Sequence, residues 1–149
     1  MASELDKTEE ELQRYILENY SAIVIDHAQN PRNTGSIYDA DGLSVVTGPC
    51  GDTMEIWLKV RDGIINRTTF WTDGCGTTIA AGSMITELAK GKTVSEAFKI
   101  TQQQVLNALG GLPEESIHCA LLATDTLKEA IKDYLDNRNE PWKKAYKKS

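Results

Sequence analysis

A chain of 149 residues, 40% of them hydrophobic, has material for one core and too little for two. Its formal net charge of −6 argues against nucleic acid as the main partner, because phosphate binding rests on clustered Lys and Arg, and no apolar run approaches the ~20 residues of a membrane helix. The acidic opening Met1-Ala2-Ser3-Glu4-Leu5-Asp6 does not read as a secretory signal, and three cysteines without paired spacing do not read as a disulfide framework; a cytoplasmic protein with reduced thiols, no nucleic acid and no membrane is expected.

In chain order, Thr8 with Glu11 forms a capping-box pattern ahead of Leu12, Tyr15 and Ile16, which predicts a helix starting near Thr8. A second apolar stretch, Ala22 to Ile25, must end by Pro31, and Asn30 to Gly35 and Asp39 to Gly42 carry turn chemistry. Leu43 to Thr47 reads as a strand. Met54, Ile56, Leu58 and Val60 then alternate with Glu55, Trp57 and Lys59, and Asp62-Gly63 predicts a hairpin turn into Ile64 to Trp71. Beyond Cys75, the residues Ile79, Met84, Ile85 and Leu88 recur at helical spacing up to Lys90-Gly91. Thr93 with Glu96 and Thr101 with Gln104 are further capping boxes, Gly110 to Pro113 closes the second of these helices, and a long helix starts near Ile117. Strands followed by helices, without a linker or repeat, predict one α+β domain over residues 1–149 with helices on one face of a small antiparallel sheet. The basic tail from residue 137, with Lys143, Lys144, Lys147 and Lys148, is expected to fray in solvent.

All three cysteines fall where an element begins or ends: Cys50-Gly51-Asp52 before a strand, Gly74-Cys75-Gly76 between strand and helix, His118-Cys119 in the first turn of the last helix. Thiolates bind soft metals and iron–sulfur clusters, and helix N-termini favour the anions that thiolate-ligated clusters are. Period-two alternation in extended chain would turn Cys50 and Asp52 to the same side. One metal or cluster site built from Cys50, Asp52, Cys75, His118 and Cys119 is therefore expected, with Asp52 or His118 as the fourth ligand beside three thiolates. His27, with no cysteine near it, reads as structural, and Asp73 as a turn residue. Trp57, Trp71 and Trp142 read as packing or surface cover.

Taken together, His27-Ala28-Gln29-Asn30-Pro31-Arg32-Asn33, Cys50-Gly51-Asp52, Gly74-Cys75, Lys90-Gly91-Lys92, Leu112-Pro113, His118-Cys119 and the Ala130 to Tyr134 segment resemble the IscU/NifU-type scaffold proteins on which iron–sulfur clusters are assembled. The resemblance covers nearly all of the chain from about residue 20. It implies a three-stranded antiparallel sheet packed with helices, the IscU/SufE-like fold, and a scaffold or carrier that is not an enzyme. It further implies that a cysteine desulfurase of the IscS/NifS type delivers persulfide sulfur to Cys119, a role that its helix-start position also favours. Ferrous iron enters the same site, an electron donor such as a ferredoxin reduces the persulfide, and the finished [2Fe–2S] cluster passes to apo iron–sulfur proteins. A homodimer is compatible with this scheme. Where chaperone-bound relatives carry Leu-Pro-Pro-Val-Lys, this chain has Leu112-Pro113-Glu114-Glu115-Ser116, so release without a dedicated Hsp70 is expected. His118 and the absence of an insertion set it nearer the IscU branch than the SufU branch of sulfur acceptors.

Two other classes use the same residues. A zinc-binding regulatory or structural protein would close a tetrahedral site with these thiolates and His118 or Asp52, and zinc is also a candidate occupant of an as-isolated apo-scaffold. A thiol enzyme would pair Cys119 with a histidine base, but adjacent residues on a helix point about 100° apart, and Cys50 and Cys75 would stay unexplained.

Overall fold

The computed structural model describes residues 4–140, and Trp142 and the lysines of the basic tail lie outside them. Helix α1 (Glu4–Asn19) begins a turn before Thr8, so the Thr8/Glu11 pair sits inside the helix and is not its cap. Leu12, Tyr15 and Leu17 on this helix are exposed. The second apolar stretch is helix α2 (Ala22–Gln29), started by Ser21, whose hydroxyl accepts from the Val24 N–H at 3.0 Å.

Strands β1 (Gly42–Thr47), β2 (Thr53–Arg61) and β3 (Ile64–Thr72) form one antiparallel sheet in the order β1-β2-β3. The β2–β3 turn follows from Asp62 and Gly63, both at positive φ (54° and 76°), the left-handed pair that suits strand twist. Met54, Ile56 and Leu58 of β2 are fully buried on one face, which is the greasy face that alternation predicts. Helices α3 (Gly76–Ala89) and α6 (Ile117–Asn139) cover that face, α6 over β1 and β2, and α3 over β3. The Phe70 ring of β3 packs against Gly82 of α3, where any Cβ would clash with it, so this glycine sets the helix–sheet distance. Helices α4 (Val94–Phe98) and α5 (Gln102–Leu109) both open on complete capping boxes, from Thr93/Glu96 and Thr101/Gln104. Residues 33–35 pair with the outer edge of β3, Phe70 N–H to Asn33 O at 2.9 Å and Gly35 N–H to Phe70 O at 3.1 Å, and cover an otherwise open edge.

The other edge strand is tied to α6. The Leu43 N–H donates to Asp133 Oδ2 at 3.0 Å and Ser44 Oγ to the Thr126 carbonyl at 2.6 Å. Asn137 is buried and its Nδ2 donates to the Asp41 carbonyl at 3.1 Å. The fraying expected from residue 137 is thus corrected: residues 137–139 belong to α6, held by this contact with the start of β1.

His27 is structural, as expected. It is buried, with Nδ1 at 2.7 Å from Ser83 Oγ, which itself accepts from the Arg32 N–H at 2.9 Å. The hydroxyl has one proton and two lone pairs, so besides the Arg32 N–H it can either donate to Nδ1 or accept from it, according to the tautomer. Burial above all, then the Arg32 charge, push the His27 pKa below the ordinary histidine value, while Asp26 and Glu87 oppose this. A depressed folded-state pKa means that the unfolded chain binds the proton first, so His27 stabilises above ~6.5 and that contribution is lost as pH falls. Urea midpoints should drop between about pH 7.5 and about pH 5.5, and His27→Gln should flatten that slope. An equal slope in both proteins would assign the pH dependence to other groups.

Candidate functional site

Three segments meet at one end of the sheet. Cys75 is the N-cap of α3, in extended conformation (φ −78°, ψ −176°), and a 3₁₀ turn at Glu114–Ser116 places His118 and Cys119 in the first turn of α6. Asp52 directly precedes β2. Two threonines of α3, Thr77 and Thr78, stand between them. Thr78 Oγ1 donates to Asp52 Oδ2 at 2.9 Å and lies 3.4 Å from Cys119 Sγ and 3.8 Å from Cys75 Sγ. Thr77 Oγ1 lies 3.2 Å from Cys75 Sγ and 3.4 Å from Cys119 Sγ. His118 Nε2 is 3.8 Å from Cys119 Sγ. Three of the five expected residues, Asp52, Cys75 and Cys119, are thus gathered around two hydroxyls, with His118 beside Cys119.

Cys50 is set apart. The residues before β2 are not extended: Gly48 N–H reaches Asp52 O at 2.8 Å, Gly51 N–H reaches Gly48 O at 3.0 Å, and Gly51 has φ +87°. This tight turn defeats the period-two argument that put Cys50 and Asp52 on one side. Asp52 turns to Thr78 and Cys50 is exposed on the turn. Among the described residues no three His, Cys, Asp or Glu side chains are already spaced to hold one metal ion.

The two inner thiols differ. Burial pushes Cys75 up, but the Thr77 hydroxyl, the backbone N–H groups of Thr78 and Thr77, and the Thr78 hydroxyl outweigh it, and its pKa falls below the ordinary thiol value. The sulfur makes no formal cap bond, yet the opening of α3 still favours its anion. Cys119 is only 2% exposed. Burial raises its pKa, the Cys75 and Asp52 charges add to that, and the two threonine hydroxyls only partly offset them. The helix-start argument for an easily formed Cys119 thiolate is therefore corrected: desolvation overrides the helix dipole, and Cys75 is the more acidic thiol.

Gly74 explains why Asp52 stays where it is. A Cβ there would lie 2.8 Å from Asp52 Oδ2 and 2.7 Å from Thr78 Oγ1, so only glycine leaves room for the carboxylate–hydroxyl bond. Asp73 has its turn role, its Oδ1 accepting from the Thr53 N–H at 2.8 Å. Thr77 and Thr78 were not legible as site residues, since hydroxyls in a first helical turn usually cap or face water. The signal available was two adjacent hydroxyls directly after a glycine-flanked cysteine. A cleft of about 400 Å³ opens beside Cys75, lined by Leu12, Tyr15 and Ile16 of α1 and by Val24 and Ala28 of α2.

The family model described as the NifU-like N-terminal domain matches residues 19–141. The chain is 55% identical over 116 residues to the iron-sulfur cluster assembly scaffold protein IscU 1 of Archaeoglobus fulgidus, covering 77% of this chain and 76% of that one. It is 48% identical over 120 residues to the IscU scaffold protein of Haemophilus influenzae, covering 77% of this chain and 94% of that one. Among solved structures it resembles the N-terminal part of a nitrogen-fixing NifU-like protein from Brucella abortus, with a TM-score of 0.61 at 20% identity over 78% of this chain and 94% of that one. A protein described as an iron-sulfur cluster assembly scaffold for the SUF system, from Fervidobacterium islandicum, gives the same TM-score at 22% identity, over 75% of this chain and 96% of that one. These two likenesses bear on the fold, a three-stranded antiparallel sheet with helices.

Proposed function

Because the chain belongs to the NifU-like N-terminal domain family, we propose that it is a non-enzymatic scaffold on which iron–sulfur clusters are built and from which they are passed to apo-proteins. The observation that carries this reading is the convergence of Asp52, Cys75, His118 and Cys119, from three segments, around the N-termini of α3 and α6. Two helix N-termini offset the negative charge of a thiolate-ligated cluster, which an acidic chain otherwise opposes. With Cys50 swung in from its turn there are three thiolates, one carboxylate and one imidazole. Either of the last two can complete a four-ligand [2Fe–2S] site, and neither matches iron–sulfur chemistry as well as a fourth thiolate, which suits a cluster that must leave.

In this scheme a cysteine desulfurase supplies sulfur, ferrous iron enters at the thiolates, and an electron donor such as a ferredoxin reduces persulfide to sulfide. Cys119 is the proposed sulfur acceptor because its Sγ is central, within 3.8 Å of His118 Nε2 and 3.4 Å of both threonine hydroxyls. The primary test is anaerobic incubation with desulfurase, cysteine and ferrous iron, followed by iron and acid-labile sulfide analysis. Iron and sulfide in equal amounts with visible charge-transfer bands are expected. A colourless protein holding stoichiometric zinc and no sulfide under these conditions would favour the zinc-protein reading.

Mass spectrometry after desulfurase and cysteine alone should show an added sulfur that disappears in Cys119→Ser. An adduct confined to Cys75, the exposed and more acidic thiol, would move the acceptor role there.

Release should not need an Hsp70. Pro113 is extended, but Glu114–Ser116 is a 3₁₀ turn with both glutamates exposed, a poor match to an extended apolar peptide groove. Transfer to an apo-ferredoxin should proceed at the same rate with and without a bacterial Hsp70/J-protein pair and ATP. A large ATP-dependent acceleration that vanishes when Leu112 and Pro113 are replaced would overturn this.

A further inference from the structure

A threonine hydroxyl has one proton to donate and two lone pairs to accept with. At Thr78 the partner at 2.9 Å is a carboxylate oxygen, an acceptor only, so the proton of Thr78 is committed to Asp52. Toward Cys119 Sγ at 3.4 Å, Thr78 can then only accept an S–H. Thr77 faces two sulfurs with one proton and has its shorter contact, 3.2 Å, with Cys75. Donating there, it faces Cys119 Sγ at 3.4 Å with its lone pairs, and the single S–H of Cys119 serves one of the two hydroxyls. Thr77 is 7% exposed and Thr78 0%, so water does not compete for these bonds. One carboxylate oxygen of Asp52 is thereby fixed against α3, in space that Gly74 leaves open by having no Cβ.

We propose that Thr77 and Thr78 are positioning residues for metal binding: their hydroxyls hold Cys75, Asp52 and Cys119 in one constellation before any metal arrives. The inference rests on the cluster-site reading for its purpose, and on the hydroxyl geometry for its substance. Groups that orient metal ligands by hydrogen bonding are worth ten- to a hundredfold in metal affinity, and hydrogen bonds to ligating sulfur shift the electronic transitions of the metal–sulfur bond. Neither threonine need touch the metal.

The test is titration of the metal-free, fully reduced chain with cobalt(II) alone, read from thiolate-to-cobalt charge-transfer and d–d bands. Thr77→Val and Thr78→Val keep shape and remove the hydroxyl; Thr77→Ser and Thr78→Ser keep the hydroxyl. Each valine variant should bind cobalt at least about tenfold more weakly than wild type, with Thr77→Val also shifting the charge-transfer band, while each serine variant stays within about twofold. Urea midpoints measured alongside separate a lost hydroxyl from a lost fold. Alanine variants, read the same way, replace valine should it strain the first turn of α3. Valine variants with wild-type affinity and unmoved bands overturn the proposal, as do serine variants as weak as the valine ones, or a wild-type chain that binds no cobalt. A wild-type chain that binds cobalt in the expected order across the variants, yet never accumulates iron and sulfide with desulfurase, would sink the scaffold reading while sustaining the positioning role.

Discussion

Cys50→Ser, Cys75→Ser and Cys119→Ser should each lower reconstituted cluster content to below about a tenth of wild type, because a serine oxygen is a much poorer partner for iron–sulfur chemistry than a thiolate. The fold should survive all three. Cys50 and Cys75 are exposed, and a hydroxyl in place of the buried Cys119 thiol would meet the Thr77 and Thr78 hydroxyls as hydrogen-bond partners. Iron and sulfide analysis beside urea unfolding checks both halves. Cys50 is the most exacting case, since it alone stands outside the constellation. A Cys50→Ser protein with a full, spectrally unchanged cluster would remove it from the ligand set and leave Asp52, Cys75, His118 and Cys119 to do the work.

Asp52→Ala should hold a preformed cluster longer and pass it to an apo-ferredoxin about tenfold more slowly, because the carboxylate offers an oxygen through which iron can exchange. The geometry adds a condition. Without Asp52 the buried Thr78 hydroxyl loses its acceptor, which costs about 1–3 kcal/mol if nothing replaces it. Cys119 Sγ at 3.4 Å and Cys75 Sγ at 3.8 Å are within reach of that proton, so the stability loss should stay at the low end of this range. Transfer as fast as wild type would show that lability comes from elsewhere in the site.

What was legible in the sequence was local. Asp62-Gly63 specifies a hairpin by its own dihedral preferences, and the Thr93/Glu96 and Thr101/Gln104 boxes form because all their partners lie within one turn. The alternation from Met54 to Val60 marked the buried sheet face for a similar reason. The candidate residues at element ends were legible as positions too, and four of the five come together. The failures came where a local pattern was overridden, by a neighbouring turn or by distant chain. Cys50 and Asp52 are two residues apart, but a turn closed by the Gly48 and Gly51 N–H groups breaks the periodicity that would align them. Thr8/Glu11 has the pattern of a cap and lies inside a helix. Cys119 has the position of an activated thiolate, yet packing of α6 against α3 buries it, and burial wins. Asn137 looked like part of a polar tail until its contact with Asp41, across 96 positions of sequence, drew it into the last helix.

The attachment of β1 to α6 has a consequence during synthesis. Leu43 and Ser44 bond to residues 90 and 82 positions later, so the first strand has a free edge until the last helix has emerged from the ribosome. At roughly 5–20 residues per second that delay is on the order of seconds. During it, the hairpin of β2 and β3 can form with Cys50 and Cys75 already present, while Cys119 is still untranslated or lacks the helix that orients it. A nascent chain therefore offers only part of a binding site, and premature iron would find two thiols and no complete ligand set. If the proposed ligand set is right, its completion and that of the fold are the same late event, which would tie cargo loading to finished molecules.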